Sequence, residues 1–346
     1  MGGGVGAGSG YTQWSGGRST VAVPLPINLT ELGQVGTLNS NAQYDSSELI
    51  NNFFNNNHDD DFSLFENQIC SPYTDINSLI NTYSNTNTPL VLSLNIRSLS
   101  SNHSNLLTLL HQLKSNDIVI VAIVLQEIWN VKYPELVSIP GFHKSYLKMR
   151  TFSNGGGVGI FVNDDVSSKI IDIDNSFHEK IFECITIELS YSNRKTYISS
   201  IYRSPSPIKN ISVSDQNNLF MSKLDAHLSF LNKFGSTSYV FLDANIDLSK
   251  INNHQPANEY ADIILSNGFI QSITKSTRIH GQSFSLIDHI LTNDISEIPK
   301  TGVLINDISD HFITFIELQK IKKNKINSKL SGELLQKKIL RISEIV

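Results

Sequence analysis

The chain has 346 residues, 40% of them hydrophobic, and a net charge of −5 that is unevenly spread: residues 1–88 carry −7 and residues 320–346 carry +6, leaving −4 for the middle. A middle without a basic field excludes bulk charge as the source of nucleic-acid binding and confines any such binding to a local patch or the basic tail. Cys70 and Cys184 are the only cysteines, which excludes a disulfide framework or a cysteine zinc site, and with no signal-peptide pattern or membrane-length apolar run the expectation is a soluble, non-secreted protein with no membrane partner.

In chain order, residues 1–88 are first Gly-rich and then Asn- and Ser-rich ("NNFFNNNHDDDF"). Few apolar periods are sustained there, so a largely disordered region is predicted, with room for a helix only from about Phe65 to Ser84. From Pro89 to about Leu318 the texture changes to short β-branched runs broken by Gly, Asn, Ser and Pro, as in a strand-rich globular domain. Predicted strands are "LVLSLNI" from Leu90, "IVIVAIVLQE" from Ile118, "GVGIFVN" from Gly157, "CITIELSY" from Cys184, "KTYISSIYR" from Lys195, "SYVFLDANI" from Ser238, "SLIDHILT" from Ser285 and the closing "HFITFIEL". "IVIVAIVL" is apolar without alternation and should be covered on both faces, whereas Ile185, Ile187 and Leu189 alternate with polar residues as in a strand with one buried face. Helical period predicts "SNLLTLLHQLKS" with Ser104 as N-cap, a long helix capped by Ser214 or Asp215, and "NEYADIILSNG" stopped by Gly268. Many strands with a few helices between them point to an α/β fold, two sheets face to face with helices outside. The stretch 319–346 reads as a basic linker or tail.

Polar residues end these apolar strands, where burying them is costly. Asn95 closes the first, Glu127 the second, Tyr202 and Arg203 the "ISSIYR" strand, and Asp243 and Asn245 the "VFLDAN" strand; Asp288 interrupts "SLIDHIL", while Ser309, Asp310 and His311 precede the last. If strand ends share one edge, these groups converge in an acidic, amide-rich pocket. Carboxylates with an Asn amide offer the hard oxygen ligands that Mg²⁺ accepts, and a His paired with a carboxylate can donate to a phosphate as imidazolium. No Walker-type loop and no Ser or Cys nucleophile motif occurs, and the glycines at 155–157 precede a strand instead of opening a helix, so they are not read as a phosphate cradle.

"SLNIRSL", "LQEIW", "GGGVGIFV", "SSIYRSP", "LDANID", "STRIHGQSFSLIDHIL" and "ISDHFITF", in this order over about residues 89–318, resemble the endonuclease/exonuclease/phosphatase superfamily of DNase I and apurinic endonucleases. Within it the chain is most similar to the endonuclease domain of non-LTR retrotransposons. The resemblance implies a four-layer α-β-β-α sandwich of two mixed sheets. It implies metal binding by Glu127, the principal ligand, with Asn95 and Asp310; Asp243 as base for the attacking water; Asn245 and Tyr202 at the phosphate; and Asp288 orienting His311, which stabilises the developing charge. Thr277 matches a DNA-contacting position, Arg278 and Arg203 join it as substrate-binding candidates, and Ser309 fits the Ser of the "SDH" triplet. Leu242 and Ala244 depart from the family's usual "GDFN", which changes packing more than chemistry.

The activity implied is Mg²⁺-dependent nicking of double-stranded DNA, with Mn²⁺ able to substitute, leaving a 3′-hydroxyl to prime reverse transcription. A reverse transcriptase domain in a longer polyprotein and a nuclear place of action, after cytoplasmic assembly, follow from the subfamily. No such domain follows residue 318, so the expectation is either a fragment or a truncated element. Two alternatives stay open: the same fold acting on RNA, phosphoinositide or sphingomyelin, and a catalytically inactive DNA-binding module. Against a lipid substrate, the sequence offers no identifiable aromatic-rich membrane loop.

Overall fold

The unbroken apolar run becomes strand β3 (Ile120–Gln126), and every residue of it is buried. It belongs to a computed structural model that describes residues 69–134, 137–173, 176–191, 194–280, 283–294 and 299–318. The disorder expected for residues 1–68 and the tail from 319 onward lie outside these described residues.

β3 pairs in parallel with β2 (Leu90–Asn95), and together they centre a seven-stranded mixed sheet. Its order is completed by β1 (Tyr73–Thr74), β15 (Thr301–Leu304) and β16 (Ile313–Glu317) on one side, and by β5 (Val158–Val162) and β4 (Lys144–Lys148) on the other. The second mixed sheet runs β11 (Ile270–Gln271), β14 (Asp288–Thr292), β10 (Ser238–Asp243), β9 (Arg194–Tyr202), β8 (Phe182–Tyr191) and β6 (Ser167–Ile171), with β7 (Phe177–His178) also on β8. A separate hairpin joins β12 (Arg278–His280) to β13 (Ser283–Ser285).

Val121, Val124 and Ile160 of the first sheet share one apolar cluster with Ile185, Ile187, Ile198 and Val240 of the second, so the sheets face each other. Ile123 and Leu125 turn the other way, onto helices α1 (Ile76–Tyr83) and α2 (Leu99–Ser115) through Leu79, Leu106, Leu110 and Leu113. Helices α3 (Val213–Asn232) and α4 (Gln255–Ser266) cover the second sheet with Phe220, Leu224, Leu228 and Tyr260. The result is the four-layer α-β-β-α sandwich, in which each fully buried Leu or Ile contributes about 1.5–3 kcal/mol.

Four expectations are corrected. Residues 69–88 are folded: the helix allowed between Phe65 and Ser84 forms as α1, capped by Asp75 through hydrogen bonds from the Asn77 and Ser78 amides, but the segment also supplies β1, an unexpected edge of the first sheet. Helix α2 starts five residues before Ser104, with Ser98 accepting from the Ser101 amide, because Leu99 is itself a buried contact. Ser212, not Ser214 or Asp215, caps α3. The alternating strand β8 is buried on both faces, since Thr186 bonds Ser199, which in turn bonds His227 of α3, and Glu188 takes Tyr197; its polar residues mark satisfied partners, not solvent.

Candidate active site

Pairing register brings the polar strand ends together. Parallel β2 and β3 set Asn95 opposite Gln126, so Glu127 leaves the sheet beside Asn95. Parallel β9 and β10 set Tyr202 opposite Asp243, and antiparallel β14 sets Asp288 opposite Asp243. The base of the β12–β13 hairpin then clips the chain before β16: Phe312 N donates to Thr277 O at 2.7 Å and Ile279 N to Asp310 O at 3.3 Å. That clip carries His311 against Asp288.

Asn95 is fully buried and ties the two sheets together. Its Nδ2 donates to Asp243 Oδ2 at 2.7 Å and to Glu127 Oε1 at 3.1 Å, while its Oδ1 accepts from Arg97 N at 3.2 Å. Two carboxylate acceptors fix which way the amide faces. Glu127, at a positive φ of 49°, also accepts from Tyr202 OH at 2.8 Å and Trp129 Nε1 at 3.1 Å. All of these donors are neutral, and among the described residues Glu127 forms no ion pair, so its charge is left for a cation.

Asp243 is buried, and burial with the charge of Asp288 pushes its carboxyl up to about 7, against the pull of His311. His311 Nδ1 lies 2.8 Å from Asp288 Oδ2, an oxygen that also accepts Thr277 OH at 2.6 Å. Burial opposes charging of the ring, but Asp288, supported by Asp243 and Asp310, overcomes it and raises His311 to about 9. The ring is therefore an imidazolium at neutral pH, donating through Nδ1 to Asp288. Among the described residues its Nε2 has no hydrogen-bond partner.

Asp243, Asp288 and His311 bring one ligand-type atom each within 4.8 Å of one another, an acidic and histidine cluster of metal-site dimensions. A protonated imidazole does not ligate, however. That proton would have to leave before this cluster held a cation; outside the cluster, Glu127 accepts only neutral donors. Asp310 is held by guanidinium groups, Arg97 Nη1 at 2.9 Å from Oδ1 and Arg278 Nη2 at 2.9 Å from Oδ2. Burial works to raise Asp310, but His311 and the two arginines hold it below the usual carboxylate range.

Several candidates sit elsewhere than expected. Thr277, expected to face DNA, is fully buried and spends its hydroxyl on Asp288. Arg203, expected at the substrate, points to the opposite face of β9 from Tyr202, as alternation dictates. There it donates to the carbonyls of Ala244 (3.1 Å) and Asn245 (3.3 Å), bonds Asn217 Oδ1, and lies over the Phe220 ring, so it anchors the loop after Asp243 from behind. Ser309 donates to Asn95 O at 2.7 Å and supports the backbone of the site. Asn245 gives one Nδ2 proton to Arg203 O at 2.7 Å, leaving the other for a ligand. Tyr202 is buried and donates to Glu127, and burial together with Glu127 raises its hydroxyl far above the ordinary value.

The sequence reading missed two groups. Trp129, two residues past Glu127, holds that carboxylate, and Arg150, with its guanidinium 5.7 Å from the Tyr202 ring, backs the tyrosine. The glycine run was the available signal for Arg150: a Cβ on Gly156 would stand 2.3 Å from the Arg150 guanidinium carbon, so the run makes room for arginine.

A family model described as the endonuclease/exonuclease/phosphatase family matches residues 92–311. The chain belongs to this family. Among solved structures, a 3′-5′ exonuclease from Neisseria meningitidis is 15% identical with a TM-score of 0.50, the alignment covering 67% of this chain and 100% of that one. A mannosyl-6-phosphatase from Bacteroides thetaiotaomicron (15%, TM-score 0.49, 67% and 100%) and an AP endonuclease from Archaeoglobus fulgidus (17%, TM-score 0.46, 67% and 99%) are also similar. At such identities the likeness to the exonuclease establishes the shared sandwich and nothing finer. No curated protein sequence matches the chain. Family members are hydrolytic phosphodiesterases and phosphatases, and the cluster around Asp243 accords with that chemistry.

Proposed function

We propose that this family member is a Mg²⁺-dependent endonuclease that nicks one strand of double-stranded DNA and leaves a 3′-hydroxyl, and that the nick primes reverse transcription in a non-LTR retrotransposon. Its partner would be a reverse transcriptase domain of a longer polyprotein, and its place of action the nucleus. One juxtaposition carries the hydrolytic reading: an acid raised to about 7 (Asp243), a buried imidazolium (His311) and a carboxylate without an ion pair (Glu127) where strand ends of the two sheets meet. The order of the seven sequence motifs supports the DNA and retrotransposon parts.

Glu127 fits a hard cation, because its oxygens accept only neutral donors. Asn95 turns its NH₂ to Glu127, and both Asp310 oxygens face arginines, so neither is the primary holder in this arrangement. A bound Mg²⁺ supplies neutralisation of phosphate charge. Asp243, titrating near neutrality, takes a proton from water as the water oxygen bonds to phosphorus and the P–O3′ bond breaks, and the departing O3′ takes a proton from solvent. His311 Nε2–H and the free Asn245 N–H donate to phosphate oxygens as charge grows on them. Tyr202 spends its one proton on Glu127, so its work here is to position that carboxylate. One water is consumed, and the products are a 5′-phosphate and a 3′-hydroxyl.

The test is conversion of supercoiled plasmid to open circles by the full chain with Mg²⁺ or Mn²⁺. EDTA and Glu127→Ala should each abolish it, and a DNA polymerase should extend the nicks. Activity that survives EDTA would remove the metal, and nicks that resist extension would remove the stated polarity.

A further inference from the structure

Among the described residues, three aromatic side chains are exposed: Trp129 (37%), Tyr133 (51%) and Phe152 (92%). Single exposed aromatics are ordinary on a protein surface. These three, however, all lie in two loops that leave the sheet at the edge of the candidate active site, since Gln126, one residue before Glu127, pairs with Val158. The loops are fastened to each other: Trp129 N donates to Gly156 O at 2.8 Å, Asn130 N to Asn154 O at 3.2 Å, and Asn130 Nδ2 to Asn154 Oδ1 at 3.3 Å. Phe152, the most exposed, is not on a loose tip, because Glu179 accepts from the amides of Thr151 (2.5 Å) and Phe152 (3.3 Å). The Trp129 ring is fixed by its bond to Glu127. The Trp129 ring is thus a fixed, flat, apolar face within one side chain of the carboxylate assigned to the cation, and Phe152 stands exposed on the loop fastened to its own.

We propose that Trp129 and Phe152 form a stacking platform for unstacked nucleobases beside the scissile phosphodiester; this rests on the nuclease reading above and assigns it a substrate contact. Base–aromatic stacking tolerates any sequence, because every base has a π-face. A phosphate held at Glu127 places its flanking bases within reach of ring faces on the same loop. The same rings bear on a lipid substrate as well, because they supply aromatic loops that the sequence pattern does not reveal. Position favours the base: the Trp129 ring is bonded to Glu127, beside the phosphate this carboxylate would serve through a cation, where a nucleic acid offers a flat base within one nucleotide and a lipid headgroup does not.

The full chain carries two tryptophans, Trp14 and Trp129, so Trp14→Phe makes Trp129 the sole reporter. In EDTA, to prevent cleavage, this protein is titrated with a mixed-sequence single-stranded deoxyoligonucleotide, with an abasic deoxyribose-phosphate oligomer of equal length, and with phosphatidylserine-containing vesicles. The base-bearing oligomer should quench Trp129 and bind about 10-fold more tightly than the abasic one, the scale of one stacked base. Phe152→Ala should remove most of that difference without weakening the abasic oligomer. Equal affinity for both oligomers, binding without quenching, or a Trp129 blue shift with vesicles instead of quenching by DNA would each overturn the platform. Plasmid nicking, measured in parallel with Mg²⁺, separates the two failures: nicking without discrimination between oligomers sinks only the platform, whereas loss of both sinks the nuclease reading.

Discussion

Asp288→Asn keeps the shape of a side chain that touches both Thr277 and His311 and removes its charge. His311 stands at about 9 although it is fully buried, above its ordinary value of 6.5. Burial opposes the charge, and Asp288 is the largest contributor that overcomes it. At pH 7.5 a group at 9 is about 97% charged, and one returned to 6.5 is roughly one tenth charged. The variant should therefore nick plasmid about 10-fold more slowly at pH 7.5, the ratio of the two charged fractions. The wild-type rate should rise as pH climbs through about 7, where Asp243 becomes an anion, and fall as pH climbs through about 9, where His311 loses its proton. Asp288→Asn should shift the alkaline limb to lower pH and leave a cooperative melting transition. Adding His311→Ala removes the remaining charged fraction, so the double variant should lose about as much as His311→Ala alone, about 10²-fold, and not the product of the two losses. An unchanged rate and alkaline limb in a folded variant would refute the assignment of charge to His311.

Three further outcomes are expected. His227 and His289 are buried and both held down to about 4, below the unfolded value of 6.5, so stability is fully present above 6.5 and declines as pH falls toward 4, by up to about 3 kcal/mol for each; urea midpoints across this window should drop, and His227→Gln should flatten the slope. Gly156→Ala sets a Cβ against the Arg150 guanidinium at a φ of +75° and should lower the melting temperature by roughly 5 °C; an unaltered transition would mean that Arg150 is free to move. Truncation after Leu318 removes a stretch of net charge +6 and should flatten the salt dependence of DNA affinity, by about 0.9 in log–log slope per lost phosphate contact, while the map of nicked sites stays the same.

The strands of the middle region were legible because hydrophobic pattern and burial agree there, and the polar residues ending them were legible because nothing else explains an acid after an apolar run. Helix α1 was only half legible, its place allowed but its start and cap obscured by its surroundings. Ile76, Leu79, Ile80 and Tyr83 have helical spacing behind an Asp cap, but they follow an Asn-rich stretch that suppresses the signal. Ser98 was passed over as cap because Leu99 reads as the end of the preceding segment. Direction was the least legible property. The sequence places Tyr202 beside Arg203 and Thr277 beside Arg278, but which neighbour faces the cleft is decided by strand alternation and by the hairpin clip, and both depend on partners distant in sequence.

Three polar links at this edge share a geometry that strand order alone does not reveal: they join one sheet to the other. Asn95 of the first sheet donates to Asp243 of the second, and Tyr202 of the second donates to Glu127 of the first. Arg150, leaving β4 of the first sheet, pairs at 2.5 Å with Glu183 of β8, which also accepts the amides of Gly157 (2.6 Å) and Lys180 (2.7 Å). Desolvation makes such a buried pair a poor source of stability compared with apolar packing, and burial accordingly raises Glu183 despite its arginine. Farther into the sandwich, Val124, Ile187 and Val240 belong to a common cluster that joins the sheets without directional bonds. Apolar packing sets how closely the sheets approach, but it allows them to slide. Directional bonds across the gap fix the offset, and the separation of Asp243 from Glu127 depends on that offset. Polar residues that weaken the sandwich at this edge are therefore what holds Asp243 and Glu127 at a constant spacing.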